Sequence, residues 1–530
     1  MFKKDLRVYL PLIISLSIVC GLIVGYYLPK KYASDSNIAP EGIDKLPLAI
    51  DYIRRSYVDT IGYARLQDSA LTGLLHQLDP HSDYIPASAY ATVVEPLEDG
   101  FQGIGIQFRM VDDTAYILDV IKASPAFKAG LKIGDRIIYI DKDTLVGKKY
   151  TTEDVVNRLK RIKGASENVT IVRRGFSQPK KILVSRAKIP THSIDLAFMP
   201  QPTTGYIKLG LFAENSGEDF SETLRWMVEQ GMKTLVLDLR GNTGGVMSAA
   251  IDIADELLPD LQMIVYTMGA NRSKTEYKAT YGGTFEEGKI VVLIDEESAS
   301  ASEIVAGALQ DNDRATLIGQ RSFGKGLVQE QLGFADGSAM RLTVARYYSP
   351  SGRCIQKPFG NDRATYYEET FERVDEATKQ DSLANKKRQV YKTKNGRTVY
   401  GGGGIQPDVK ITYPKSPERT YVGWAQQKNI LDKTAFKLAD AKRAKLLAQY
   451  PDYDAFTLDY KTTPEVFAQI HQAMVSEGFT LNESIRKKTD DLLNKHFKCY
   501  LALYLYGYEA FYRISLTVDD AYLQALESIK

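Results

Sequence analysis

Cysteine is nearly missing from this 530-residue chain: Cys20, Cys354 and Cys499 are the only three. Cys20 lies in an apolar N-terminal run, so at most one intramolecular pair remains. That excludes a disulfide framework and a thiolate metal ladder. Histidine is scarce as well, with His76, His81, His192, His471 and His496. None lies beside a nucleophile-type motif, and neither a G-x-S-x-G elbow nor an H-E-x-x-H pair occurs. The signatures of a histidine-based serine triad and of a zinc hydrolase are therefore both absent, and no metal or cofactor is expected. Neither sign of charge prevails: the formal net charge is +2, and no basic run carries interleaved aromatics. Composition makes no case for nucleic acid.

What is present is ordinary globular material, 44% hydrophobic and 25% charged, long enough for several domains. Lys3, Lys4 and Arg7 precede an uncharged run from Val8 to Pro29, followed by Lys30 and Lys31. About 20 apolar residues span a bilayer, whereas a cleaved signal has an apolar core of only about 7–15. The run predicts a single-pass anchor over residues 1–31, although basic charge on both sides orients it weakly. A polar linker, Ala33–Pro40, opens a helical region over 32–94. Ala49, Tyr52, Ile53, Ser56 and Tyr57 trace one apolar face there, and Leu66, Ala70, Leu71, Leu74, Leu75 and Leu78 a second.

From Gly205 short apolar runs alternate with helical patterns, which predicts a mainly parallel sheet with its site at the strand C-terminal ends. Leu235–Leu239 and Ile290–Ile294 read as buried strands. The second feeds Ser298-Ala-Ser-Ala-Ser-Glu303, after which Ile304, Val305, Ala308 and Leu309 recur at helical spacing. Small residues and serine are good helix N-cap chemistry by themselves. The partner downstream, Ser322-Phe-Gly-Lys325-Gly-Leu-Val-Gln329, changes the weighing. Near it Gly319–Gly326 almost spells a phosphate-binding P-loop, but Gly326 stands where the hydroxyl for Mg²⁺ belongs, so nucleotide binding is not expected. Asp362–Arg388 is polar and charged and reads as an exposed insertion. Beyond about Pro414 the chain turns helical and charged, with a tyrosine-rich stretch over Tyr500–Tyr512.

The serine and lysine segments together resemble the S41 family of serine peptidases, the C-terminal processing proteases. Leu78-Asp-Pro-His-Ser-Asp-Tyr84, Asp238-Leu-Arg-Gly-Asn-Thr-Gly-Gly245 and Gly401-Gly-Gly-Gly-Ile-Gln-Pro-Asp408 are similar to further motifs of that family. Gly100–Phe108 and Ser124–Ile138 resemble the peptide-binding loop and the "SPAxxAGLxxGDxI" segment of its PDZ domain. The resemblance spans about Leu74 to Val409. It implies a PDZ domain (95–187) and a crotonase-like ββα catalytic core (188–414); with the transmembrane helix, the helical segment and the C-terminal helical domain (415–530) read from the residues, the expected fold is multidomain α/β. Thr152–Lys160 is then the helix flanking the PDZ groove and Val169–Arg173 a closing strand. Gly103, Ile104, Gly105 and Ile106 are the expected peptide-binding positions, because glycines let backbone N–H groups approach a carboxylate and a free strand edge accepts a peptide.

The family also implies Ser300 as nucleophile, Lys325 as its base and Gln329 as the residue holding the lysine. Choosing Ser300 over Ser298 and Ser302 rests on family spacing; Ser302 is expected as an N-cap, and Glu303 as a support of the turn. A lysine serves as base when burial among groups such as Phe323 and Leu327 lowers its pKa. Gly244 or Gly245 would join the Ala301 N–H in an oxyanion hole, while His81 has no catalytic part. The resulting reading is a membrane-anchored serine endopeptidase acting on proteins or peptides with accessible C-termini, its body on the periplasmic or outer face. Self-association is left open. A non-catalytic PDZ scaffold ranks second and a crotonase-type acyl-CoA enzyme third.

Overall fold

The structure, a computed structural model, describes residues 11, 14–23, 44–160, 166–360, 362–375, 388–412, 416–479 and 483–529. Two units separate, Met1–Leu74 and Leu75–Lys530. In the first, residues 14–23 are helical and exposed, and a helix over Lys45–Ser56 starts at Asp44, whose carboxylate accepts the Leu46 N–H. Among the described residues no helix is long and apolar enough to cross a membrane. Half of the expected anchor, Val8 to Pro29, lies outside them.

In the second unit, a small antiparallel sheet runs in the order Ile106–Val111, Thr114–Val120, Arg136–Ile140, Ser166–Val172, Lys180–Ser185. The strand expected to close this sheet, Val169–Arg173, lies inside it, because Lys180–Ser185 pairs along its far side. Alternation explains the packing. Ala115 and Ile117 point inward with Ile137, Val169 and Val184, beneath Val155 and Leu159 of the helix Thr152–Lys160. Their neighbours Tyr116 and Leu118 point the other way, into the core of the C-terminal helices with Phe436, Phe497 and Tyr504.

The larger sheet runs Ile194–Gln201, Thr204–Leu209, Thr234–Asp238, Lys289–Ile294, Thr316–Gly319, Val409–Lys410, parallel throughout except at its first pair. Its central strands read as continuous apolar runs because both faces are covered. Leu235, Leu237, Ile290, Val292 and Ile294 meet the helices Ser216–Glu229, Met247–Asp255 and Ala301–Asp311. On the reverse face Val236, Val291, Leu293 and Ile318 meet Leu516, Ala521, Tyr522 and Ala525. The last helix, Asp520–Ser528, thus covers the back of the larger sheet. A second sheet carries Leu327–Gly333 against Ala339–Tyr348, which also pairs with Asp83–Ile85 and Met263–Gly269.

The C-terminal helices, from Pro417 to Ser528, also hold the small sheet by charge. Arg109 pairs with Asp432 at 2.8 Å, and Arg136 and Arg174 converge on Asp440 at 3.1 and 2.5 Å. One helical region therefore grips both the small sheet and the back of the large one. The insertion also departs from expectation. Residues 376–387 lie outside the described part, but Arg363–Asp375 is a helix whose Tyr366 is buried against Phe323 and His81. Its polar sequence hid the fact that Tyr366 and Thr370, four apart, supply an inward face.

Candidate active site

The strand Lys289–Ile294 ends in a turn that delivers Ser300 to the start of the helix Ala301–Asp311. Ser300 has φ 56° and ψ −112°, a region an L-residue occupies only at a cost of about 1–3 kcal/mol. Neighbouring bonds hold it there. Ser298 Oγ donates to the Leu239 carbonyl at 2.9 Å, and Ser302 Oγ to the Asn242 carbonyl at 2.8 Å. Ser302 is consequently not the N-cap; that position is Ser300, and Ser302 ties the helix to the neighbouring loop.

Glu303 organises the turn. Its Oε2 accepts the N–H of Ser300 at 2.9 Å and of Lys325 at 2.8 Å. Its Oε1 accepts the Gly324 N–H at 2.8 Å and the Ser322 hydroxyl. One buried carboxylate thereby joins the serine turn to the lysine loop, as the support expected of it. Burial raises its pKa, and the four hydrogen bonds restrain the rise. The Tyr347 hydroxyl adds a second tie, 3.0 Å from the Ser300 carbonyl and 2.8 Å from that of Lys325.

Lys325 precedes the strand Leu327–Gly333, whose register shifts between Val328 and Gln329. Such a bulge re-aims the side chain that follows it. Lys325 Nζ donates to Gln329 Oε1 at 2.8 Å, and Gln329 Nε2 donates to the His81 carbonyl at 2.7 Å. Burial brings the Lys325 amine down from 10.5 to about 8, aided by the Arg341 charge and opposed by Asp79 and Glu303. The amine is thus neutral in a sizeable fraction of molecules near physiological pH.

The strand Thr234–Asp238 leads into the loop bearing Gly244 and Gly245, at φ 101° and 147°. A Cβ on Gly244 would stand 2.8 Å from Ser300 Cβ and 3.0 Å from Ala301 N, and one on Gly245 2.0 Å from the Phe212 carbonyl. Only glycine permits this approach. The Gly244 N–H donates to Asn242 Oδ1 at 2.9 Å. The N–H groups of Gly245 and Ala301 have no acceptor among the described residues. Ser300, Ala301, Lys325, Gln329, Gly244 and Gly245 all line one cavity of 860 Å³. Its chemical inventory is a hydroxyl, an amine of lowered pKa, and two open N–H donors.

Gly103, Ile104, Gly105 and Ile106 are not in this cavity. Gly103 ends the strand Gly100–Gly103, which pairs with Ala187–Pro190, and Ile106 opens the strand Ile106–Val111, which among the described residues pairs on one side only. The carbonyls of Ile104 and Gly105 are tied back by Ala126 N–H at 2.9 Å and Ile121 N–H at 3.1 Å. Gly105 has φ 83°, and a Cβ there would lie 2.2 Å from Ser124 Cβ.

His81 lines the same cavity, but its ring is 2.9 Å from the Tyr366 hydroxyl, and it reaches Gln329 through its carbonyl. Burial, with the charge of Lys325, lowers the His81 pKa to about 3, so the ring is neutral at ordinary pH. Tyr347, Asn242 and the His81 carbonyl are participants that the sequence reading did not assign. Tyr347 and the carbonyl carry no local signal, since each acts across a long sequence separation. Asn242, within the glycine loop motif, could have been found.

Three family models match: a PDZ domain over residues 102–178, peptidase family S41 over 203–365, and a family of unknown function (DUF8443) over 421–507. Carboxy-terminal processing protease CtpB of Bacillus subtilis is 33% identical over 60% of this chain and 66% of its own. A carboxy-terminal-processing protease of Bartonella bacilliformis is 36% identical over 57% and 70%. CtpA of B. subtilis is 30% identical over 67% and 76%. A PDZ module attached to an α/β peptidase core is the class these matches define. The chain belongs to peptidase family S41, as a serine peptidase of the carboxy-terminal processing type.

Proposed function

We propose that this chain is a metal-independent endopeptidase that cleaves proteins or peptides near an accessible C-terminal tail, with Ser300 as nucleophile and Lys325 as general base. The observation that carries the reading is the Lys325 amine, brought to about 8 by burial and oriented by Gln329 in the cavity that holds strained Ser300. Neutral Nζ takes the Ser300 Oγ proton as Oγ bonds to the scissile carbonyl carbon. The oxygen that becomes negative is met by the N–H groups of Ala301 and Gly245. Gly244, whose N–H is already given to Asn242, acts by its closeness to the serine turn. Collapse breaks the C–N bond, and the leaving amine takes the proton from Lys325. Water then repeats the sequence on the acyl-enzyme, releasing the acid and restoring Ser300.

The edge strand Ile106–Val111, with Gly103, Ile104 and Gly105 in the turn before it, receives the tail of the substrate as an added strand, which concentrates that chain beside the catalytic cavity. The apolar run before Pro29 anchors the protein as a single pass in the inner membrane, with the peptidase body on the periplasmic side.

The test is cleavage of an unfolded protein with a free apolar C-terminus by the full chain, beside Ser300→Ala, Lys325→Ala and a chelator control. Activity lost in both variants and untouched by chelator supports the dyad. Proteolysis retained by purified Ser300→Ala protein would falsify it.

A further inference from the structure

A lysine base works only if its lone pair faces the serine, and here that direction is set at one remove. Gln329 meets Nζ through its oxygen; turned by half a rotation, the same carboxamide would oppose donor to donor. The group that prevents the turn is the His81 carbonyl, which accepts from Nε2 at 2.7 Å. What fixes His81 therefore fixes the base.

His81 is held from two sides. On its main chain, Asp79 Oδ1 accepts the His81 N–H at 2.8 Å and the Ser82 N–H at 2.9 Å, while Ser82 Oγ accepts the Thr343 N–H at 3.1 Å. On its ring, Nε2 lies 2.9 Å from the Tyr366 hydroxyl, and the imidazole stands edge-on to Phe323, Tyr366 and Tyr367. The Tyr366 hydroxyl also accepts from Gln356 Nε2 at 3.1 Å. The Tyr367 hydroxyl donates to the Pro80 carbonyl at 3.2 Å and stands 3.5 Å from Nδ1, so the geometry favours the tautomer with its proton on Nδ1 and Nε2 as acceptor from Tyr366. Gln356 closes the circuit, since its Oε1 accepts the Gly326 N–H at 2.9 Å, one residue beyond Lys325. Lys357 locks the helix behind: its Nζ donates to the Tyr366 carbonyl and to Thr370 Oγ1, both at 2.6 Å, and lies 4.1 Å from the Phe323 and Tyr366 ring centres.

We propose that Tyr366, on the helix Arg363–Asp375, is a positioning residue for the hydrolytic step, acting through the His81 ring and carbonyl on Gln329 and so on the Lys325 amine. The inference rests on the reading of Lys325 as base. It gives the polar insertion a task, because the helix that carries Tyr366 is part of that insertion. The charged groups facing Lys325 are Arg341, Asp79 and Glu303; those facing His81 are Asp79, Lys325, Lys357 and Arg363. Tyr366→Phe alters none of these charges, so any movement of the pH profile reports position and not field.

The experiment uses the full chain carrying Tyr366→Phe, which keeps the ring and removes the hydroxyl. The expected result is a fall in kcat of about tenfold, the effect of one lost buried hydrogen bond. KM should stay unchanged, and the alkaline-rising limb of the pH profile should move upward. Gln356→Met, which frees the Tyr366 hydroxyl to turn away, should move both quantities in the same direction by less. Imidazole NMR of labelled histidine provides a readout that needs no turnover. His81 should show a single Nδ1–H tautomer that does not titrate between about pH 5 and 8, and should lose that tautomer in Tyr366→Phe. A Tyr366→Phe protein with wild-type kcat, pH midpoint and tautomer, beside an inactive Lys325→Ala, overturns the positioning role and leaves the catalytic reading standing. Cleavage retained by Lys325→Ala removes the reading beneath it.

Discussion

Two buried carboxylates, Glu303 behind the serine turn and Asp238 at the end of a central strand, are satisfied in opposite ways. Glu303 is met only by neutral donors, three backbone N–H groups and the Ser322 hydroxyl, and burial leaves its pKa raised. Asp238 is buried as deeply, yet the Arg240 guanidinium donates to both of its oxygens and Tyr206 adds a hydroxyl at 2.7 Å. Burial alone would lift the Asp238 pKa; the charge of Arg240, with that of Lys208, overcomes it and holds the carboxyl well below its usual range. Arg240 then reaches on to Asp519, the N-cap of the last helix, at 2.7 Å. The lesson lies in what each site excludes. Backbone dipoles fix the serine and lysine loops without an ion pair at the carboxylate that joins them. At the joint with the C-terminal helices no proton has to move, and a fixed ion pair is the firmer fastening.

The comparison breaks most completely at the nucleophile and base. Ser300→Ala and Lys325→Ala should each abolish cleavage in a peptide-bond assay while the melting temperature of Ser300→Ala stays within about 1 °C, as for a substitution free of the large destabilising mechanisms.

Glu303→Gln and Asp238→Asn test the two carboxylates directly. Glu303→Gln turns an NH₂ toward two N–H donors, and cleavage should fall by about a hundredfold or more, as for other lost pieces of catalytic preorganisation. Asp238→Asn leaves Arg240 poorly paired in the interior, so denaturant unfolding should show a loss of about 3–5 kcal/mol. Its activity below the unfolding transition should suffer less than that of Glu303→Gln. Equal activity losses in the two variants would erase the distinction.

The pH dependence follows from Lys325. Its folded pKa, about 8, lies below the ordinary 10.5, and the neutral form is the active one. Cleavage should rise as pH climbs through about 8 and fall below it. The stability effect has the same direction. The cost of burying the ammonium is fully present below about pH 8 and is relieved as pH rises toward 10.5. Lys325→Met should therefore stabilise the fold at neutral pH by about 1–3 kcal/mol, a gain that fades above pH ~10.5. A gain independent of pH would mean that packing, not desolvation, is responsible.

The smallest effect belongs to Asp519→Asn. Losing this partly exposed partner leaves Asp238–Arg240 intact, so urea unfolding should show a loss of about 0.5–1 kcal/mol with near-normal cleavage.

Much of the core was legible in the amino-acid order. Leu235–Leu239 and Ile290–Ile294 are buried strands because a short apolar run without period can only be covered on both faces. The residues after Ser300 declare a helix by their spacing. Glycines 244 and 245 announce a close approach, although only the hydrogen bond from Gly244 to Asn242 reveals which N–H remains open. Lys325 and Gln329 lie four apart, and a local bulge brings them together. The strand Val169–Arg173 was placed wrongly because alternation gives a strand's faces and not its neighbours. The buried side of the insertion was missed because its polar and charged residues outweigh Tyr366 in any composition.

By itself, then, the sequence determined the local periods, the glycine turns and the motifs that mark the serine and lysine loops, since each depends on residues within a few positions of one another. The tertiary structure alone decided that His81 holds Gln329, that Tyr347 ties Ser300 to Lys325, and that the last helix backs the catalytic sheet. Those contacts join residues tens to hundreds of positions apart, and their geometry exists only once the sheets have packed.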